Sequence, residues 1–262
     1  MPSIRIVIPI FNRLDLLFSL INNLEISSIK NYQIKFLIVI SDSDDIYPVR
    51  NFMEQKKIDY ELIIGHKNWY WGKSIYNAIK YIKLNSLFDS IFVFMNQDID
   101  TNSSSVINLV SNINPESKYF LTSYSLDNSN IAAANVIYSR EYNIRFSPLS
   151  VITINDQNIM LTGFRLVAVP GNYFKLPWFF TLRFTPHYYA DYALCLIAML
   201  NSFKIELTNA HYINTENPGT FEKQKFLFRF FNVKGTSFLP AIIAFYILKF
   251  LYFLKSLIKF YL

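Results

Sequence analysis

The sequence predicts an α/β fold with a Rossmann-like sheet and helices on both faces, and three observations carry that reading. Apolar, β-branched runs alternate with segments of helical period, and polar residues gather where the runs end. The 262-residue chain is also 52% hydrophobic and 17% charged, enough to fill the core of one globular domain plus an appendage. Ile4–Pro9 is the first run, and Leu14, Leu17, Phe18, Ile21 and Leu24 follow at helical spacing. The alternation continues through Ile34–Ile40, Tyr60–Ile64, the helical stretch Ser74–Leu84 and Ile91–Met95. Such a pattern needs a parallel sheet covered on both sides. Val151–Val169 reads as antiparallel and points to a less regular second half.

Charge sharpens the picture once it is located. Residues 221–262 hold seven basic side chains (Lys223, Lys225, Arg229, Lys234, Lys249, Lys255, Lys259) against Glu222. That segment therefore carries the whole +6 of the chain and leaves residues 1–220 neutral, with 18 charges of each sign. A nucleic-acid binder would spread a basic stripe over its domain, so nucleic acid is not an expected partner. With one cysteine, Cys195, no internal disulfide can form. Met1-Pro2-Ser3-Ile4-Arg5 runs straight into the first apolar run without the basic and long apolar regions of a secretory signal, so a cytoplasmic catalytic part is expected. One cysteine and three scattered histidines lack zinc-ligand spacing, and no nucleophile-elbow motif for Ser-His-Asp chemistry is present.

In a parallel sheet ligands bind beyond the carboxyl ends of the strands. There the chain places Pro9-Ile10-Phe11-Asn12-Arg13, then Ser41-Asp42-Ser43-Asp44-Asp45, then Asn96-Gln97-Asp98-Ile99-Asp100. Any one of these loops reads equally as a turn or helix cap rich in Asp, Asn and Ser. Three at one rim can hold a divalent cation that neutralises nucleotide phosphates.

These segments, taken in order, resemble the family-2 glycosyltransferases, and within them the bacterial rhamnosyltransferase-like branch, over residues 3–215. Ile6–Arg13 resembles the opening strand and nucleotide-contacting loop, and Ile38–Asp45 the second strand and the acidic loop that holds base and ribose. Asn68-Trp69-Tyr70-Trp71-Gly72 with Asn77 resembles an aromatic-glycine-asparagine segment opening a helix. Phe92–Asp98 resembles the strand ending in a metal-binding DxD motif. His187-Tyr188-Tyr189-Ala190-Asp191 resembles the helix start that carries the family's catalytic acid.

The resemblance implies a GT-A fold, a mixed sheet flanked by helices, over residues 1–220, and a C-terminal apolar-basic helical tail follows over 221–262. It also implies a donor site of Pro9, Phe11, Asn12, Arg13, Asp42, Asp44, Asn68, Trp71, Gly72, Asn77, Asn96 and Gln97, serving a nucleoside-diphosphate sugar. Asp98 and His211 become ligands of a divalent cation, Mg or Mn, and Asp191 becomes the general base. An inverting transfer needs such a carboxylate to take the acceptor hydroxyl's proton as that hydroxyl attacks the anomeric carbon. Asp191 also suits the cap of a helix over Tyr192–Leu200, and His211 also reads as an ordinary histidine.

The chain departs from the family in several places. Ala190, Ala193 and Ile197 stand where relatives carry charged residues, Lys73 replaces a small residue, and Asp98 is the only carboxylate of its triplet. These departures support a second reading, a catalytically silent module that binds nucleotide or glycan as a partner subunit. A third, nucleotidyl transfer to a sugar phosphate, asks for a Gly-rich basic loop that Pro9–Arg13 does not provide.

His187 and Trp178 are candidates for the acceptor site, His187 from its place four residues before Asp191. Trp69, Tyr70, Trp71, Trp178, Phe179 and Phe180 offer ring faces to a sugar, and packing or membrane contact explains Trp178-Phe179-Phe180 equally well. His66 reads as part of a turn. In the tail, Pro240 and three lysines interrupt the apolar stretch Phe238–Tyr261, which fits a transmembrane span poorly. Lys255 and Lys259 share a helix face, which suits a helix lying in an anionic lipid surface; packing on the catalytic domain or on a second subunit is the alternative. The expected protein is thus an inverting hexosyl- or deoxyhexosyltransferase. It would lie peripherally on the inner face of the cell membrane, act on a glycan or lipid-linked acceptor in bacterial surface-polysaccharide synthesis, and could form a homo-oligomer.

Overall fold

Runs that are apolar on both faces are stable only between two layers of helices, and that is the arrangement found. The computed structural model describes residues 2–11, 13–29, 31–66, 69, 71–127, 130–132, 163–179, 182, 190–215 and 250. The first half alternates β1 (Ser3–Ile10), α1 (Leu14–Asn23), β2 (Gln33–Ile40), α2 (Ile46–Gln55), β3 (Tyr60–Ile64), α3 (Trp71–Leu84) and β4 (Ser90–Met95). Then come β5 (Ile99–Asp100), α4 (Ser103–Val110), β6 (Tyr119–Asp127), β7 (Asn130–Ala132), β8 (Leu166–Pro170), α5 (Ala190–Leu200) and β9 (Lys204–Asn214). The sheet order is β3-β2-β1-β4-β8-β6-β9-β5, with β7 paired to β6. The first four strands are parallel. β8 runs antiparallel to β4 and to β6, while β9 runs parallel to β6, so the sheet is mixed.

Strand alternation divides the core in two. Ile4, Ile6, Ile8 and Ile10 of β1 face α1, α2 and α4, whereas Val7, Leu37, Val39, Phe92 and Phe94 lie under α3 and α5. Ala190, Ala193 and Ile197 of α5 are wholly buried in this second core. Their small or apolar character follows from burial, since an unpaired charge at those positions would be removed from water. Gly171, after β8, allows a close approach of two chain segments: a Cβ there would meet the Phe88 carbonyl oxygen at 2.1 Å.

The expected elements are found with small shifts at their ends. α3 begins at Trp71 rather than Ser74, because a tertiary contact of the Trp71 indole anchors its first turn. α5 begins at Ala190, so Asp191 lies in its first turn and is not the cap of a helix starting at Tyr192. Of the antiparallel stretch 151–169, residues 151–162 lie outside the described residues, as does the tail apart from Phe250. No helix among the described residues is long and apolar enough to cross a membrane.

At the amino end of the strands a charge network lies within the sheet. Arg5 pairs across the ladder with Lys35. Glu61 accepts from Lys35 at 2.7 Å and meets Arg5 at 3.6 Å. Burial pushes the Glu61 carboxyl up, but hydrogen bonds from Lys35 and Tyr81, with the charges of Lys35 and Arg5, leave it below its ordinary value. Burial and Glu61 together push the Tyr81 hydroxyl up to about 12.

The sign of the pH dependence follows from the lowered carboxyl. Its contribution to stability is complete above the unfolded-state value near 4 and is lost as pH falls through the lowered folded-state value. Glu61→Gln is expected to lower Tm at neutral pH and to flatten the fall of Tm in acid, as followed by circular dichroism. Parallel Tm–pH curves for the two proteins would rule the network out as a source of acid sensitivity.

Candidate functional site

The site begins with the parting of two strands. β1 pairs with β4 only as far as Val7 and Phe94, but with β2 as far as Ile10 and Ile40. Pro9, buried in β1, has no N–H to extend a ladder, and it lies just past the last β1–β4 pair. Since β3 and β2 lie on one side of β1 and β4 on the other, the crevice opens where the strand order reverses, the usual ligand position in such sheets.

Side chains tie the rim together. Gln97 bridges the gap with two bonds to one residue: the Phe11 N–H donates to Oε1 at 2.8 Å, and Nε2 donates to the Phe11 carbonyl at 3.0 Å. The buried Ser41 hydroxyl lies 2.9 Å from the Ile10 carbonyl and 3.0 Å from that of Trp69, joining three loops. The Trp71 indole N–H donates to Asn96 Oδ1 at 2.7 Å and fixes the start of α3 on the end of β4. Gly65 permits the Trp69 ring to lie over the chain, where a Cβ would meet it at 2.3 Å. Asp42 caps the 3-10 turn Ser43–Asp45 by accepting from the Asp44 N–H at 3.2 Å, and Asp44 itself is exposed.

Other expected donor-site residues are engaged locally. Arg13 is exposed and binds Asp15 at 3.2 Å; hydrogen bonding to Arg13 holds the Asp15 carboxyl below its ordinary value. Gly72 is buried in the first turn of α3, and Asn77 donates to the Lys73 carbonyl at 2.8 Å within the same helix. Trp178 packs against the core under α3 and α5. Asn12, Asn68 and His187 lie outside the described residues.

Asp191 reaches the same edge through topology. β6 and β9 run in the direction of β4, and α5 joins β9 through the short turn 201–203. α5 therefore runs back against β9, and its first turn lies toward the edge where β1, β2 and β4 end. Asp191 there is half-buried.

The expected metal pair is not brought together. Asp98 accepts from Arg165 Nη1 at 3.3 Å, and the same nitrogen donates to Asn214 Oδ1 at 2.6 Å. Tyr212 and Asn214 of β9 face this pair, and burial raises the Tyr212 hydroxyl to about 12, so it stays a neutral phenol. His211, one residue before Tyr212 and so in phase with the opposite face, turns its ring toward Tyr124 at 5.9 Å between centroids. Among the described residues no group of three His, Cys, Asp or Glu side chains could hold a metal ion. Asn96 and Gln97 are spent on Trp71 and Phe11. Among the described residues the donor set therefore does not fit a resident Mg or Mn, which wants several oxygen ligands.

Arg165, Asn214 and Ser41 were not anticipated as site residues. Arg165 had a visible signal, a lone cation entering the apolar run Phe164–Val169. A separate cavity of about 520 Å³ between α4 and strands β6 and β9 is lined by Asn108, Asn112, Tyr119 and Glu206 among others, and by none of the rim residues.

No protein-family model and no curated protein matches the chain by sequence. Solved structures do match it. A mannosyltransferase from Pyrobaculum calidifontis, in complex with GDP-Man and Mn2+, superposes with a TM-score of 0.55 at 10% identity. The match covers 87% of this chain and 60% of that one, so the chain spans less than two thirds of that protein's length. Glucosyl-3-phosphoglycerate synthase from Mycobacterium tuberculosis, in complex with Mn2+, UDP-glucose and phosphoglyceric acid, gives 0.54 at 12% identity over 95% of this chain and 80% of that one. The inositol-1-phosphate CTP transferase from T. maritima gives 0.53 at 11% identity, over 89% and 97%. At these identities the likeness fixes the fold, which is GT-A-like.

The Gln97 bridge can be tested directly. Gln97→Ala removes two partly exposed hydrogen bonds, each worth about 1 kcal/mol, and is expected to lower Tm by several degrees. Gln97→Glu keeps the acceptor for the Phe11 N–H and is expected to lose roughly half as much; equal losses would mean that the bridge is not what the alanine variant removes.

Proposed function

We propose that the protein is an inverting glycosyltransferase. It moves a hexosyl or deoxyhexosyl group from a nucleoside-diphosphate sugar to a glycan or lipid-linked acceptor. The observation that carries this reading is the reversal of strand order between the β1, β2 and β4 ends, toward which the first turn of α5, with Asp191, is directed. In the proposed reaction the acceptor hydroxyl loses its proton to Asp191 as its oxygen attacks the anomeric carbon. The bond to the diphosphate breaks on the opposite face, and configuration inverts. Asp42 and the Phe11 loop serve the nucleoside.

The buried Ala190, Ala193 and Ile197 bear on the silent-module alternative. Their place in the core accounts for their apolar character without a loss of activity, which weakens that alternative.

Nucleotidyl transfer is favoured by one observation, the likeness to the CTP transferase. The two chemistries differ in product. Sugar transfer releases a nucleoside diphosphate from a nucleotide sugar, whereas nucleotidyl transfer releases pyrophosphate from a nucleoside triphosphate and a sugar phosphate. A thermal-shift panel of nucleotide sugars and triphosphates finds the donor, because a ligand that prefers the native state raises Tm. With that donor, Asp191→Asn is expected to keep binding and lower turnover about 100-fold, the scale of a positioned base. Pyrophosphate as product, or near-normal turnover in the variant, would remove this mechanism.

The role in bacterial surface-polysaccharide synthesis rests on the sequence resemblance, and the membrane role of residues 221–262 on their composition. We propose that this tail lies on the inner face of the cell membrane. Each lysine near an anionic surface contributes about 1 kcal/mol, so the intact chain is expected to sediment with anionic vesicles and to be released by high salt. Attachment that resists salt would overturn the interfacial model, and indifference to vesicles would point to packing against protein.

A further inference from the structure

Resting on the donor-site reading above, we infer that Arg165 takes the place of a divalent cation at the donor diphosphate, with Asp98 as a positioning residue for Arg165 and not a metal ligand. The expected metal donors are already engaged. Asn96 Oδ1 accepts the Trp71 indole N–H at 2.7 Å, and both ends of the Gln97 amide are bonded to Phe11. His211 turns to Tyr124 on the other face of β9. Of the Asn96–Asp98 triplet and His211 only Asp98 remains, and its Oδ2 is held by a guanidinium at 3.3 Å, while Asp100 accepts from Asn23 at 2.8 Å. A doubly charged ion on that carboxylate would sit close to a group that is always cationic, and no group of three His, Cys, Asp or Glu among the described residues offers it a shell.

The same geometry prepares Arg165 as the anion's partner. Its carbonyl accepts from the Asn96 N–H at 3.0 Å, so its backbone is fastened to the loop that ends β4. The side chain crosses to Asn214 at 2.6 Å, and Asn214 is itself fixed by donating to Ser125 Oγ at 3.1 Å. Both of these side-chain bonds use Nη1 of a fork that carries five N–H donors, and the side chain is 28% exposed. A guanidinium so held suits two oxygens of a diphosphate, which it can bind side by side. Strands β4, β8 and β9 thus deliver a fixed positive charge to the rim.

The test measures binding of UDP, GDP and dTDP to the full chain by calorimetry, with excess Mn2+ and with EDTA. Electron paramagnetic resonance of Mn2+ is recorded in parallel. At least one diphosphate is expected to bind with an affinity that differs by less than about threefold between the two conditions, a small change in free energy. The six-line signal of free Mn2+ is expected to fall no further with protein and nucleotide than with nucleotide alone, which itself chelates the ion. Arg165→Met is expected to weaken binding about 10- to 100-fold in both conditions, the scale of a charge-assisted bidentate contact, and Arg165→Lys to recover part of the loss. Asp98→Asn is expected to remain insensitive to metal.

Binding that EDTA abolishes and Mn2+ restores, with loss of the free-ion signal beyond that with nucleotide alone, would overturn the proposal and leave the donor site standing. Failure of all three diphosphates in both conditions would remove the donor reading itself, and this inference with it. Should Arg165→Met not fold, the wild-type EDTA and resonance arms still decide.

Discussion

The parting of β1 from β4 is the constraint on which the candidate site depends. A parallel pair that continued to the ends of both strands would bring their loops together and leave no crevice. Here the ladder ends at Val7 and Phe94, and Pro9 stands just beyond it. The opened edge then needs other bonds to hold it, because exposed ends of neighbouring strands are otherwise free to fray. Gln97, Ser41 and the Trp71–Asn96 pair supply them, each joining segments far apart in sequence. The rim is a stitched structure, and its polar side chains are as much fasteners as ligands.

That dual demand explains which parts of the site could be read in the sequence. The positions of the strand ends were legible: β3 was read at its observed bounds, and β1, β2 and β4 to within a residue at each end, because strands buried on both faces are continuous apolar runs. The polar loops after them could be located for the same reason. What those polar residues bond to was not legible. Nothing around Asp98 announces Arg165, 67 positions later, and nothing in the Asn96-Gln97 pair reveals that both amides are engaged with Trp71 and Phe11. Local motifs show which residues are present, while side-chain pairing is a property of the closed sheet.

Helix α5 gives the same lesson in reverse. Ala190, Ala193 and Ile197 looked like losses from a charged helix when set beside the family pattern, yet they fill a core between α3 and the sheet. Asp191 stands out against this background as the one carboxylate in an otherwise apolar helix. His211 shows a further limit. Its place in the chain suggested a ligand, but strand alternation alone decides which face it serves, and the phase of β9 could be set only by its pairing with β6.

The charge network at the opposite edge of the sheet has a bearing on the rim that distance conceals. β1 and β2 are apolar on both faces over most of their length, so sliding one along the other by two residues would still bury aliphatic side chains against aliphatic side chains. Arg5 and Lys35, directly opposite one another and both reaching Glu61 of β3, break that degeneracy: any slip separates them or strands a charge among isoleucines. They act as a vernier for the three strands. Since Ile10 and Ile40 end those strands five residues further on, an error of alignment at Arg5 would arrive undiminished at Phe11 and Ser41, and the loops that form the crevice would no longer meet.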